Sequence, residues 1–260
     1  MGIVNVTLDS FYAPSRTFNP ESIQRRVTEL LEQRADIIDI GAYSTRPGAF
    51  DISEDEELRR LERGMQIVRD IASDAIVSVD TFRARVAHIA VTQFGCDIVN
   101  DISGGNLDAR MFETVAVLNV PYVLTHGRGT PADMNTRTEY SDVVADVMRE
   151  LSEKINRLEL SGVKDIIIDP GFGFAKTREQ NYKLAARLHT FELFRRPILV
   201  GVSNKSLLSN LPDVTTSEDL SACTTALHAF CLDRGASILR VHDVAAARRC
   251  ITVYNQLLTK

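Results

Sequence analysis

The chain has 260 residues, 44% of them hydrophobic and 25% charged, and a net charge of −5 at neutral pH. That is room for one large domain or two small ones, with enough apolar residues for a sizeable core. The acidic balance argues against binding nucleic acid through its phosphates, no apolar run approaches the roughly 20 residues of a membrane span, and no basic-then-apolar leader opens the chain, so a cytoplasmic protein is expected.

In chain order, short β-branched runs alternate with segments of helical period from one end to the other. The predicted strands are residues 3–5, 36–41, 76–80, 97–100, 122–126, 166–169, 198–203 and 237–241. After the first comes a helix with Asn19 as cap, Pro20 at its first position and Ile23, Val27, Leu30 and Leu31 along one face. A later helix carries Val144, Val147, Met148, Leu151, Ile155 and Leu158, and another runs from Leu220 to Leu232. Eight strands alternating with helices predict a parallel sheet closed into a single-domain (β/α)₈ TIM barrel over residues 1–260, a fold of about 250 residues. An open doubly wound sheet is the alternative, but the Gly-rich nucleotide turn often found after its first strand is missing. The four cysteines, Cys96, Cys223, Cys231 and Cys250, have no Cys-x-x-Cys spacing and read as reduced, buried thiols.

Side chains alternate between the faces of a strand, so the apolar residues fix where the polar ones point. With Ile38 and Ile40 facing the helices, Asp39 points into the barrel; with Val77 and Val79 outward, so does Asp80. The same parity turns Asn5, Asn100, Asp169 and Arg240 inward, each near the C-terminal end of its strand, where this fold carries its active sites.

Three carboxylates in a partly desolvated cavity require cations, a metal or a ligand rich in N–H donors. With Asn100 beside them, the set suits the edge of a flat, donor-rich heterocycle; a metal cage of hard oxygen ligands is the competing reading. Around the rim, Arg46, Lys205, Arg240 and His242 can hold a diphosphate or a carboxylate. The sixth strand ends in Asp169-Pro-Gly-Phe-Gly-Phe-Ala-Lys176, where two glycines allow a close turn and Phe172 and Phe174 can wall an aromatic ligand, Phe174 being deeper in the loop. Ala175 before Lys176 excludes a P-loop.

Together these motifs resemble the dihydropteroate synthase family. Met1-Gly-Ile-Val-Asn-Val-Thr7 with Asp9-Ser-Phe11 is similar to its first signature, and Asp39-Ile-Gly-Ala-Tyr-Ser-Thr-Arg-Pro-Gly48 to its second. Ser78-Val-Asp-Thr81, Asn100-Asp-Ile-Ser-Gly-Gly105, His126-Gly-Arg-Gly-Thr-Pro131, Asp169-Pro-Gly-Phe-Gly-Phe174 and Arg240-Val-His-Asp-Val244 follow in family order. The resemblance implies condensation of 6-hydroxymethyl-7,8-dihydropterin diphosphate with p-aminobenzoate in folate biosynthesis, by a homodimer using Mg²⁺. It places Asp80, Asn100, Asp169, Lys205 and Arg240 on the pterin, and Thr45, Pro47, Phe174, Lys205 and Ser206 around p-aminobenzoate. It gives the diphosphate to Asn5, Arg46, Arg240 and His242, with Asn5 also on the metal, and sets Asp39 close to the reacting methylene. Asp39, Lys205, Arg240 and His242 are the catalytic set it implies, under loops that close after the first two strands.

The chain departs from the family pattern at Leu8, where Pro is usual, at Asn204 in place of Arg, at Tyr43 in place of Glu, and at Thr125 and Gly127, where methionines are common. It begins directly at its first strand, without the short segment that often precedes it in the family. Two other readings remain: a pterin-dependent methyltransferase, against which the Ser-Thr-Arg-Pro loop and Lys205-Ser206 speak, and a non-catalytic pterin-binding barrel.

Overall fold

The computed structural model describes residues 1–7, 19–44, 51–130 and 133–258. Its strands are β1 (Gly2–Asn5), β2 (Ile38–Gly41), β3 (Val77–Asp80), β4 (Ile98–Asp101), β5 (Tyr122–Thr125), β6 (Ile166–Asp169), β7 (Ile198–Val200) and β8 (Ala236–Leu239). They pair in parallel in sequence order. Just past β8, Val241 bridges Gly2, with Ile3 N donating to Val241 O at 3.1 Å and Val241 N to Met1 O at 2.9 Å. The last strand is thereby joined to the first, and the sheet is the predicted (β/α)₈ barrel. The strand predicted over 198–203 is shorter than expected, because the chain leaves the ladder at Gly201.

The described helices are α1 (Pro20–Glu32), α2 (Glu54–Ile71), α3 (Ala84–Thr92), α4 (Met111–Leu118), α5 (Val143–Leu160), α6 (Arg178–Ala186), α7 (Ser206–Ser209), α8 (Ser217–Asp233) and α9 (Val244–Leu258). Their starts are set by local chemistry. Asn19 caps α1 by accepting from Ser22 N at 3.2 Å, with Pro20 first in the helix. Ser53 caps α2, whose first turn is acidic throughout, and Thr177 with Gln180 forms a capping box at α6.

Two apolar clusters follow from strand parity. Outward residues such as Ile38, Ile40, Val77, Val79, Ile166 and Ile168 pack under the helices. Inward ones lower in the barrel, Met1, Ile98, Val123, Ile167 and Leu199, fill its floor. The polar inward residues lie above this floor, toward the C-terminal ends of the strands, where barrels of this kind carry their sites.

One buried group sits poorly in this core. His228 on α8 is 2% exposed, and neither ring nitrogen has a hydrogen-bond partner. Burial pushes its pKa down to about 4. Below the ordinary value of 6.5 the unfolded chain therefore binds a proton that the folded chain resists, so stability falls as pH drops from about 6.5 toward 4. His126, also lowered to about 4 by burial, acts in the same window. His228→Leu is expected to raise stability at pH 5 by about 1–3 kcal/mol, the scale of an orphaned buried polar group, and to flatten part of the pH dependence. Urea unfolding of both proteins at pH 7 and pH 5 checks this.

Candidate active site at the barrel mouth

The strand parity brings four of the expected residues into direct contact. Asp39 is fully buried. Arg240, immediately after β8, donates from Nε to Asp39 Oδ2 at 2.6 Å and from Nη2 to Asp80 Oδ2 at 2.6 Å. Asn100 Nδ2 lies 3.2 Å from each oxygen of Asp39. One guanidinium thus joins two carboxylates from adjacent strands, and an amide completes the donors to the deeper one. The cation among the carboxylates is an arginine; among the described residues no group of three or more His, Cys, Asp or Glu side chains is placed to hold a metal ion.

Burial pushes the Asp80 carboxyl up to about 7, with Arg240 pulling it down and Asp39 pushing it further up. Asp169 is also raised by burial, although Lys205 and the Gly171 N–H, 2.8 Å from Oδ1, oppose the shift. The cavity therefore holds carboxylates that gain from meeting N–H donors.

The second half of the site gathers on the loop after β6. Phe172 is fully buried in the core, whereas Phe174 is half-buried and lines a small cavity with Ile102, Ser103, Arg128 and Met134. Lys205 Nζ donates to the Phe172 carbonyl and stands 4.4 Å from the centre of the Phe174 ring. Burial lowers the Lys205 pKa to about 8, against the pull of Asp169. Ser206, next in sequence, is exposed at the start of α7.

Asn5 and His242 occupy the exposed rim above β1 and β8. His242 Nδ1 is 3.2 Å from Ser203 Oγ, and Arg26 on α1 reaches both Ile3 O, at 3.2 Å, and His242 O. Thr45, Arg46 and Pro47 lie outside the described residues, as do Leu8 and the residues of the first loop. Asn204, where the family pattern has Arg, takes a φ of 54°, in the left-handed region that Asn adopts more readily than most residues.

Several supporting residues were not singled out by the inward parity because they point the other way. Asp101, next to Asn100 but outward, accepts from Ser103 N at 2.7 Å, Gly105 N at 2.8 Å and Tyr122 OH at 2.7 Å, building the turn after β4. Fully buried Glu57 on α2 accepts from Thr81 Oγ1 at 2.7 Å and Arg83 Nη1 at 2.8 Å, fastening α2 to the end of β3. His126, after Thr125, turns outward to Glu150 on α5 at 3.0 Å. Thr125 itself is inward by parity, buried, and without a partner for its hydroxyl. The adjacent polar pairs Asn100-Asp101 and Thr125-His126 carry the signal in the sequence: only one member of each can face the cavity.

Residues 1–242 match the family described as pterin binding enzyme. The dihydropteroate synthase of Synechocystis is 38% identical over 261 residues, covering 99% of this chain and 89% of the relative. The chain belongs to the dihydropteroate synthase family. The folate synthesis bifunctional protein of Arabidopsis thaliana is 38% identical over 269 residues, covering 96% of this chain and 55% of the relative. The chain thus spans about half the length of that two-function protein. Among solved structures, the Xanthomonas albilineans dihydropteroate synthase with 4-aminobenzoic acid superposes with a TM-score of 0.90 at 36% identity, covering 100% of this chain and 92% of that one. The same organism's enzyme in complex with 7,8-dihydropteroate gives 0.86 at 34% identity, with coverages of 100% and 93%.

Because Arg240 neutralises both carboxylates, Arg240→Met is expected to destabilise the fold by about 3 kcal/mol, the lower end for breaking a buried pair, since Arg240 keeps 22% exposure. Urea unfolding at pH 7 measures it. In the double variant Asp39→Asn/Arg240→Met, much of the loss should return, because the deepest unpaired charge is gone.

Proposed function

We propose that the chain condenses 6-hydroxymethyl-7,8-dihydropterin diphosphate with p-aminobenzoate, giving 7,8-dihydropteroate and diphosphate. The observation that carries this reading is the contact set of Asp39, Asp80, Asn100 and Arg240 in the mouth of a barrel of this family. Asp80, Asn100 and Asp169 take the N–H donors of the pterin, with Lys205 and Arg240 at its edge and face. Phe174 and Ser206, with Thr45 and Pro47, take the aromatic acid. Asn5, Arg46, Arg240 and His242 take the diphosphate.

Asn5 offers a single amide oxygen on an open rim, which suits Mg²⁺ carried mainly by diphosphate oxygens and water. Asn5 would hold that ion, and when bound it supplies neutralisation of the leaving charge. The C–O bond to diphosphate breaks, the buried Asp39 carboxylate stabilises the positive charge developing at the methylene carbon, and the neutral arylamine forms the new C–N bond. Its extra proton passes to solvent. No strong base and no covalent enzyme intermediate are required, so positioning and electrostatics supply most of the catalysis.

We further propose that the chain works in the cytoplasm as a homodimer; the exposed Phe230 on α8 and Val253, Leu257 and Leu258 on α9 are apolar side chains that a dimer contact would cover.

The test is diphosphate release from the pterin diphosphate with Mg²⁺, with and without p-aminobenzoate. Release that depends on p-aminobenzoate and yields dihydropteroate is expected; pterin binding without release would turn the reading to a non-catalytic barrel. Asp80→Ala is expected to abolish pterin binding by calorimetry. Since Asp80 acts ionised and Lys205 protonated, kcat/KM should fall as pH drops below about 7 and again as it rises above about 8. A profile flat from pH 6 to 9 would contradict these roles.

A further inference from the structure

Lys176 is a lysine with 8% exposure whose hydrogen bonds go to loop carbonyls and a histidine, while Asp169 acts on it only through its charge. Its ammonium nitrogen lies 2.9 Å from Gly171 O, 3.0 Å from Phe174 O and 3.0 Å from His126 Nδ1. Those three acceptors use all three N–H donors of a charged lysine. Burial lowers the Lys176 pKa to about 7; in its charged form it donates to His126 Nδ1, which leaves the His126 proton on Nε2, 3.0 Å from Glu150 Oε2. Glu150 is held in turn by Arg128, whose guanidinium stacks 3.9 Å from the centre of the Tyr140 ring. A directed chain therefore runs from α5 at the surface, through β5, to the loop after β6.

The loop it reaches is also held by its amides, Gly171 N donating to Asp169 Oδ1 and Gly173 N to Asn181 Oδ1, both at 2.8 Å, but its carbonyls depend on lysines. Gly171 and Gly173 take φ of 73° and 78°, so the loop cannot join a ladder. A Cβ on Gly171 would lie 1.8 Å from His126 O, which shows how closely the loops after β5 and β6 are stacked. Lys176 holds the carbonyls at both ends of the turn, while Lys205 holds the Phe172 carbonyl between them.

We propose that Lys176 is a positioning residue for the reaction: through its bonds to Gly171 and Phe174 it sets the Phe174 ring against Lys205, and the chain His126–Glu150–Arg128 sets Lys176. The proposal rests on the reading that Phe174 and Lys205 meet the substrates. Glu150 touches neither the loop nor the cavity, yet it acts on both. Its removal frees the His126 ring to turn, which takes one acceptor from Lys176 and loosens the clamp.

The test uses Lys176→Met, Lys176→Arg, Glu150→Gln and the double variant Lys176→Met/Glu150→Gln. Two readouts are taken: amide hydrogen exchange of residues 170–175 and steady-state constants for p-aminobenzoate-dependent diphosphate release. In Lys176→Met and Glu150→Gln, the amides of 170–175 should exchange faster while those of α5 keep their protection. KM for p-aminobenzoate should rise about tenfold in Lys176→Met with kcat changing much less, about the effect of losing one charge-assisted hydrogen bond. Lys176→Arg should recover part of the loss. The double variant should be no worse than Lys176→Met alone, because the two residues act in one chain.

Unchanged KM and exchange in Glu150→Gln, or additive losses in the double variant, would overturn the proposal; so would a Lys176→Met protein that melts lower but keeps its KM. If Lys176→Met does not fold, Glu150→Gln decides alone. If the wild-type protein releases no diphosphate, the functional reading fails, and the exchange data still test the clamp.

Discussion

A carboxyl group as deeply buried as that of Asp39 needs partners in the barrel to replace the water it has lost. Arg240 does so from the opposite side of the barrel seam, reaching from beyond β8 to carboxylates on β2 and β3. The reach depends on closure, because the Val241–Gly2 bridge places the end of β8 beside β1. It also depends on the apolar floor below, which keeps water from screening the pair. The chemistry of the mouth follows from that pairing. Asp39 is held by both Arg240 and Asn100, while Asp80 meets Arg240 alone among these donors and is pushed by burial up to about 7.

Such a site binds by exchange of partners. On the proposed reading, a pterin that offers N–H donors to Asp80 and Asp169 takes over part of the Arg240 contact, and its ring, stacked on Arg240, keeps the guanidinium in place. Lys205 rests on the Phe172 carbonyl and the Phe174 ring. It is therefore already within the loop that, on the same reading, the second substrate enters. On the proposed reading, binding energy goes into ordering groups that are half-placed beforehand, and less is lost to rearrangement.

Most of the barrel was legible in the sequence because its strands are buried on both faces, so their β-branched runs stand out, and because parity in a strand is unambiguous. Asp39, Asp80, Asn100 and Arg240 were each placed inward from neighbours such as Ile38 and Val79, and they meet where parity puts them. What parity cannot show is which inward charges pair: that Arg240 serves Asp39 and Asp80 together depends on strand tilt and closure, not on spacing in the chain. The outward partners escaped for a related reason. Glu57, Glu150 and Lys176 act across elements 24 to 50 residues apart in sequence, and a buried lysine has the same letter as a solvated one. The end of β7 at Val200 was missed because the chain leaves the ladder while its sequence still reads as strand.

The central claim is that a carboxylate at Asp80, poised near neutrality beside Arg240, reads the pterin. Calorimetry of 6-hydroxymethylpterin binding near pH 7, repeated in buffers of different ionisation enthalpy, tests it most directly. The account predicts net proton release on binding, because the ring's N–H donors favour the ionised carboxylate, and no such release in Asp80→Asn. Binding with no exchange of protons in the wild-type protein, or with the same release in Asp80→Asn, would contradict it.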